Sequence, residues 1–406
     1  MPGADSPRAE WFADSSCTFV FDGDEAGRKG LAKIRNDLPD YRQVDLPSGS
    51  DINDIVVTAG FDALVKFLKN PRHFVDGIET ETDNLKIRLQ RFDDLCHANG
   101  DVVGPDTGFK GVTDAIDGWQ PGLYLIGGGS NQGKSSLMTQ LADQAIVHND
   151  DTYVVVMSLD DPETTTFTKL LACKAQITYR QAQKPKHELL NREVPEKNRP
   201  DLYEQRKQAL ETLQELHNRF VIRDIRFGRT LKKFEKLIKN LRRKRPSDSM
   251  VVFVDSFDKM TAGEGDLQNT DTKGSLVQEL KRITTEYDIA IVCSGELRKC
   301  GAKRPELDDL KDSIQMQYEP DVIWILHQAM HHNPDTTLAF EDKQGTRQPI
   351  VELICRKNKK GGFKGTHLFY FKSDFSSFSE IDTNSPKYRT YTALIKEDMA
   401  SSKGPK

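Results

Sequence analysis

The chain has 406 residues, 30% of them charged and 36% hydrophobic, with a formal net charge of −4. That balance excludes a protein that holds nucleic acid through its overall field, so contacts with phosphates must come from local basic patches. No apolar run reaches the roughly 20 residues of a membrane-spanning helix, and the six cysteines form no C-x-x-C pair, which argues against a membrane partner, a zinc module and a disulfide framework.

In chain order, residues 1–74 read as a small α/β unit. Cys17-Thr-Phe-Val-Phe21 is a short apolar strand, followed by a carboxylate-rich turn and a helix over 25–38. Val44-Asp-Leu46 and a helix over 60–69 complete it. Residues 75–104 are a polar linker whose segment 83–95 carries Leu85, Ile87, Leu89 and Phe92 on one stripe, the pattern of a helix with a single apolar face. From residue 105 to 382 apolar runs alternate with helical segments, the strand candidates being 123–126, 153–158, 220–223, 250–255, 290–293, 322–326, 351–354 and 367–371. Strands at that spacing predict a mostly parallel, covered sheet. Residues 180–217 are polar and helical and read as an insertion. The tail, 383–406, is polar and is expected to be disordered.

The strongest signal follows the run Leu123-Tyr-Leu-Ile126. Gly128-Gly129-Ser130-Asn131-Gln132-Gly133-Lys134-Ser135, with Ser136 opening a helix, fits the Walker A pattern. Backbone N–H groups of such a loop, together with a helix N-terminus, make a phosphate site. Lys134 is the candidate for the β- and γ-phosphates, and Ser135 for Mg²⁺. Met250-Val-Val-Phe-Val-Asp255 is an apolar strand ending in a carboxylate, the position at which a P-loop ATPase holds the metal's water shell. Asp160, past the strand at 153–158, is placed to orient a water, with Asp161 suited to cap the next helix. These elements predict an ATP- and Mg²⁺-dependent enzyme. Two further segments are basic. The run from Arg298 to Lys303 and Arg304 is a candidate nucleic-acid loop. The stretch from Lys232 to Arg245 has apolar spacing at Phe234, Leu237, Ile238 and Leu241, which makes it chiefly the solvated face of a helix covering the sheet.

In this order, several motifs resemble the helicase domain of DnaB-family replicative helicases. They are Gly104-Pro-Asp-Thr-Gly-Phe109, then Asp114-Ala-Ile-Asp-Gly-Trp-Gln-Pro-Gly122 before the Walker A loop. Next come Ser158-Leu-Asp160 in place of the family's Ser-Leu-Glu, and Arg304-Pro-Glu-Leu-Asp-Asp-Leu310-Lys311-Asp-Ser313 followed by Glu319-Pro-Asp-Val322. Last is Arg356-Lys357-Asn358-Lys359-Lys360-Gly361. The resemblance implies a RecA-like P-loop ATPase core. It makes Asp160 the water-positioning base and Glu296 the sensor after the fourth strand, where the family carries Gln or His. It also implies that Lys303, Arg304 and Lys311 contact DNA, and that Lys357 and Lys359 act as a finger in a neighbour's ATP site. Lys359 stands where a planar, bidentate Arg is expected. Phe19-Val-Phe21-Asp22-Gly-Asp24-Glu-Ala-Gly27-Arg28, with Asp51-Ile-Asn-Asp54 downstream, resembles the second half of a primase Toprim domain, in which Asp22 and Asp24 share a metal. The family's preceding strand and its Glu have no counterpart, so primer synthesis is not expected.

The expectation is an α/β protein with a partial Toprim unit before the RecA-like core, assembling as a homo-oligomeric, six-membered ring on single-stranded or forked DNA. Its setting would be phage-type replication, in the cytoplasm of a bacterial or phage-infected cell or in an organellar matrix. Replication partners such as a polymerase or primase go with that reading. The alternative is a RecA- or KaiC-like ATPase that uses ATP as an assembly or DNA-binding switch without unwinding.

Overall fold

The computed structural model describes residues 17–24, 26–27, 29–31, 38, 40–47, 50–69, 71–75, 78–79, 89, 93, 96, 102–192, 201–216, 218–245, 248–263, 270–298, 304–310, 315–342 and 345–401. They fall into two units, residues 1–100 and 101–406. The first is a four-stranded sheet of β1 (Thr18–Phe21), β2 (Asp40–Asp45), β3 (Arg72–Val75) and β4 (Ile78–Glu79), in that order, with only the β1–β2 pair parallel. Two short helices, α1 (Ile52–Ala59) and α2 (Phe61–Leu68), bury Ile55 and Leu64 against Val44 and Leu46. Phe19, Leu38, Tyr41 and Phe74 form a second small cluster. The helix expected over 25–38 lies mostly outside the described residues, and the one over 83–95 almost wholly so. The acidic turn at 51–54 is a helix start. Asp51 caps α1 by accepting the Asp54 N–H at 2.7 Å, and Asp54 accepts the Asp51 N–H at 3.0 Å, so both carboxylates serve a helix start.

The second unit is built on a ten-stranded sheet. Its parallel part runs β10 (Val322–His327), β5 (Gly122–Gly128), β9 (Ala290–Glu296), β8 (Ser249–Asp255), β6 (Thr152–Ser158) and β7 (Phe220–Asp224). These strands are apolar at successive positions because both faces are covered. Tyr124, Ile126, Val154, Val156, Val251 and Phe253 pack on one side with helix α4 (Lys134–Val147). Leu123, Leu125, Tyr153, Val155, Val252 and Val254 pack on the other with α9 (Leu231–Lys244) and α10 (Thr270–Glu286). Trp119 sets its ring edge-to-face against Tyr124, Trp324 and Phe253 at centroid distances of 5.2, 6.3 and 5.9 Å, which closes the first core beneath α3 (Lys110–Ile116).

Beyond β10 the sheet turns antiparallel through β12 (Arg347–Asn358), β13 (Thr366–Lys372) and β14 (Ser377–Glu380), with β11 (Ala339–Glu341) pairing β12. The two strands expected here at 351–354 and 367–371 are present, but they form a hairpin. The loop 359–365 is too short for the dozen or more residues a parallel crossover requires. β14 holds the start of the phosphate-loop helix in place, since Gln140 Nε2 donates to Phe378 O at 2.9 Å and the Phe378 N–H donates to Gln140 Oε1 at 2.7 Å.

Three further segments depart from or refine the expectations. The polar stretch after α5 (Glu163–Ala175) folds as α6 (Tyr179–Ala182), α7 (His187–Asn191) and α8 (Leu202–Glu215), which bury Ala182 and Ala209 against Leu171, Ala172 and Ile177. In the basic helix α9, Phe234 and Ile238 are buried. Arg242 caps chain ends by donating to Tyr287 O, Asp248 O and Asp288 O at 2.9, 2.7 and 2.8 Å. The tail is not disordered over its described part: it forms α12 (Pro386–Ser401). Tyr388, Tyr391, Leu394 and Ile395 lie at helical spacing and pack on Leu338, Ile350, Leu368 and Ile381, and Tyr388 donates to Thr366 O at 2.8 Å. A four-residue stripe is enough to fix a helix whose remaining positions are mostly polar. Among the described residues no helix is long and apolar enough to cross a membrane.

His367 on β13 is buried, and burial pulls its pKa down to about 4. A base depressed in the folded state stabilises above its ordinary value near 6.5, and that stability is lost as pH falls toward the folded value. Unfolding free energy should therefore drop on acidification from pH 6.5 to 5.5. In His367→Phe the slope should be shallower by up to about 1.4 kcal/mol per pH unit. Denaturant titrations of both proteins at the two pH values measure this, and equal slopes would refute it.

Candidate nucleotide site

β5 ends at Gly128 and α4 begins at Lys134, so the loop 129–133 turns back over the carboxyl end of the sheet. Two residues adopt positive φ to make that turn, Asn131 at 59° and Gly133 at 95°. At Gly133 a Cβ would also stand 3.1 Å from the rings of Phe371 and Phe378. Lys134 Nζ donates to Gly128 O and Gly129 O, both at 2.8 Å, which folds the ammonium onto the loop that would cradle phosphate. Burial lowers the Lys134 pKa, while Asp255, Glu296, Asp258 and Asp160 pull it back up.

A cavity of about 390 Å³ opens over this loop. Ser130, Asn131, Gly133, Lys134, Ser135 and Ser136 line one wall; Asp160, Asp161, Asp255 and Glu296 face them. Walker A residues and all three predicted carboxylates are thus brought together from four separate strands or strand ends. Gly128 and Gly129 form the loop's entry, and Gln132 Oε1 accepts the Gly129 N–H at 3.3 Å. Gln132 Nε2 lies 3.4 Å from the His332 ring nitrogen. The carboxylate excess suits a bound cation, and Ser135 and Asp255 are the oxygen donors a hard divalent ion requires.

Each carboxylate is held differently. Asp255 Oδ1 accepts the buried Ser294 hydroxyl at 2.5 Å, and Asp255 O accepts the Leu159 N–H at 2.6 Å. Asp160 is exposed and 3.4 Å from Lys259 Nζ. Asp161 does not cap α5, contrary to expectation. It pairs with Lys169 at 3.0 Å, and the Glu163 N–H is accepted by Asp224 Oδ2 at 3.1 Å from the end of β7. Arg226 and these N–H groups hold Asp224 down to about 2. Glu296 stands beside Gly128 in register, and its N–H donates to Asp258 Oδ2 at 2.9 Å. Ser294 and Asp258 are site residues that sequence reading missed. Ser294 falls inside an apolar strand, and Asp258 lies in the turn after β8. The only local clue was the alternation that points Ser294 and Glu296 to the same face of β9.

The finger candidates lie away from this cavity. Ile323 pairs with Lys357 on one side and Leu125 on the other, so Lys357 stands roughly 10 Å short of Gly128 along the strands. Lys359 and Lys360 lie further back still, with Lys360 donating to Pro121 O at 2.7 Å. Lys357 Nζ donates to Gln317 O at 2.9 Å and Tyr318 O at 2.5 Å, and burial and Lys359 lower its pKa to about 8. The Lys359 side chain is exposed.

Of the nucleic-acid candidates, Lys303 and Lys311 lie outside the described residues. Arg304 is described. Its guanidinium grips buried Glu352 through Nε at 3.0 Å and Nη2 at 2.5 Å, with Asp398 3.6 Å away, which ties residue 304 to β12. Asp22 and Asp24 are both exposed. Asp24 accepts the Gly27 N–H at 2.7 Å, which accounts for it as a turn former. Among the described residues no group of three or more His, Cys, Asp or Glu could hold a metal ion.

The chain is similar to known proteins over much of its length. A replicative DNA helicase DnaB of Helicobacter pylori is 23% identical over 292 residues, 68% of this chain and 56% of that protein, so the chain spans just over half of it. Among solved structures, an isolated ATPase domain is similar at a TM-score of 0.62 and 19% identity, over 75% of this chain and 100% of that one. A DnaB-like replicative helicase, described with its interactions with primase, is similar at 0.61 and 19%, over 82% and 74%. The unit thus has the RecA-like fold of these ATPase domains. The family model for the DnaB-like helicase C-terminal domain matches residues 104–380, which takes in the phosphate loop, Asp160, Asp255, Glu296 and the strands carrying Lys357, and the chain belongs to that family.

Proposed function

We propose that this chain hydrolyses ATP to translocate on single-stranded DNA and unwind duplex, as the motor of a DNA-replication helicase working as a ring, with six subunits the expected number. The observation that carries the reading is the cavity in which the phosphate loop faces Asp160, Asp255 and Glu296. ATP enters with its phosphates over residues 129–134. Lys134 exchanges its bonds to Gly128 O and Gly129 O for the β- and γ-phosphate oxygens. Ser135 and Asp255 would hold Mg²⁺, which when bound would supply charge neutralisation for the phosphates. Ser294 fixes the Asp255 carboxylate. Asp160 orients the attacking water, and Glu296, beside Gly128, reads the γ-phosphate. A cytoplasmic setting and dealings with a polymerase or primase accompany this reading, and the N-terminal unit is read as a partial Toprim fold that makes no primers.

Lys134→Ala should lower ATP turnover roughly 100-fold or more, since charge stabilisation of the transferring group is lost. It should also abolish strand displacement on a forked substrate, with the circular dichroism spectrum unchanged. Turnover near the wild-type rate would overturn the nucleotide site. A wild-type ATPase that never displaces a strand would favour a RecA- or KaiC-like switch.

We further propose that Lys359, and Lys357 once its carbonyl partners release it, act on the ATP of a neighbouring subunit. Their support is their place at the end of the sheet remote from their own cavity. Lys359→Ala should depress turnover with ATP binding retained. Doped with Lys134→Ala subunits, it should show mixed-ring activity that departs from a linear blend of the two. Strict linearity across mixing ratios would mean that the lysine only solvates its turn.

A further inference from the structure

Behind Ser256 and Glu296, which line the nucleotide cavity, lies a buried ion pair that the chemistry above leaves unused. Asp258 and Lys273 are both 7% exposed, and Lys273 Nζ lies 3.4 Å from Asp258 Oδ1. Asp258 is not among the residues that line the cavity. Its other oxygen accepts the Glu296 N–H at 2.9 Å and the Ser256 hydroxyl at 3.3 Å, and the Asp258 N–H returns to Ser256 Oγ at 3.2 Å. One carboxylate therefore ties together the turn after Asp255, the end of β9 and helix α10.

Burying two charges is costly, and apolar residues of the same volume would pack this position at least as well. The pair is therefore better explained by what it fixes than by the stability it adds. It fixes the backbone of Glu296. Glu296 is the last residue of β9; beyond it the Leu297 N–H still reaches Gly128 O at 3.4 Å and Leu297 bridges Leu310, while the Glu296 N–H itself goes to Asp258, so that bond orients the one residue whose side chain emerges beside Gly128. Asp255 is only three residues away in the same turn, bonded to Ser294 on β9, so the two cavity carboxylates share one frame. The separation of 3.4 Å is longer than the 2.7–2.9 Å of a tight charge-assisted bond.

We propose that Asp258 is a positioning residue for Glu296, and that Lys273 sets its hold, so that helix α10 governs the hydrolytic step through this pair. The inference rests on the ATPase reading above. ATP turnover by the wild-type protein tests that reading separately, and its absence would remove the reading before this test begins.

The test compares the full chain with Asp258→Asn, Lys273→Met and the double variant, measuring kcat and KM for ATP together with the thermal midpoint. Each single variant removes one charge of the buried pair and should lose stability. The double variant removes both and should recover the midpoint to within a few degrees of wild type. If the pair only packs, kcat should recover too. The expected result is that kcat in the double variant stays about tenfold below wild type, at a KM changed less than twofold. A loss of threefold or more at unchanged KM supports the assignment. A loss of less than threefold, or one expressed in KM, overturns it. The double variant decides the question even where a single variant fails to fold.

Discussion

Strand β5 is flanked by parallel strands on both edges and covered by helices on both faces, and the site depends on where that strand stops. Both faces carry apolar side chains, so the strand cannot slip by a residue without driving its neighbours' contacts out of register. Gly128 is therefore fixed against Glu296 on β9 and Leu326 on β10. The loop that follows can curl back only because Asn131 and Gly133 take positive φ and because Gly133 leaves room for Phe371 and Phe378. Parallel neighbours end on the same side, and this puts Asp160, Asp255 and Glu296, each at or just past a strand end, around one opening.

That opening is acidic, and the chemistry follows from the imbalance. Lys134 sits among four carboxylates that favour its charged form against the cost of burial. A polyphosphate brought here meets the loop's N–H groups and Lys134 on one wall and carboxylates on the other, an arrangement that needs a divalent cation between them. The carboxylates differ in rigidity. Asp255 is held by Ser294 and Glu296 by Asp258, whereas Asp160 is exposed and loosely paired with Lys259. Asp160 is thus the least constrained of the three.

The antiparallel extension gives the core a second role. β12 runs against β10, so its carboxyl end lies at the opposite end of the sheet from the phosphate loop, and the basic turn 356–361 is carried there with it. Arg304, gripping Glu352, and Arg356, donating to Pro305 O at 2.6 Å and pairing with Glu306 at 3.0 Å, bind the segment 304–310 to that same strand. Helix α12 covers the outer part of this extension through two tyrosines and two aliphatic residues.

The parallel strands, the Walker A loop and Asp255 were legible in the chain because each is a local pattern: continuous apolar runs, fixed glycine spacing, a carboxylate at a strand end. Helix α12 was not, since four apolar residues in a polar tail gain their meaning only from the surface they cover. Arg304 and Lys303 looked alike as basic residues of one loop, and only the fold brings Glu352, 48 positions later, beneath Arg304. Asp51 and Asp54 read in the sequence only as an acidic turn, and the structure shows that a helix starting between them uses both. Ser294 and Asp258 acquire roles solely from strand register and from the approach of α10. Short-range order in the sequence therefore set the elements and the phosphate loop, because those depend on neighbours in the chain. The partners of buried Glu352 and Asp258 were left to the tertiary structure, because long-range packing places Arg304 and Lys273 beside them.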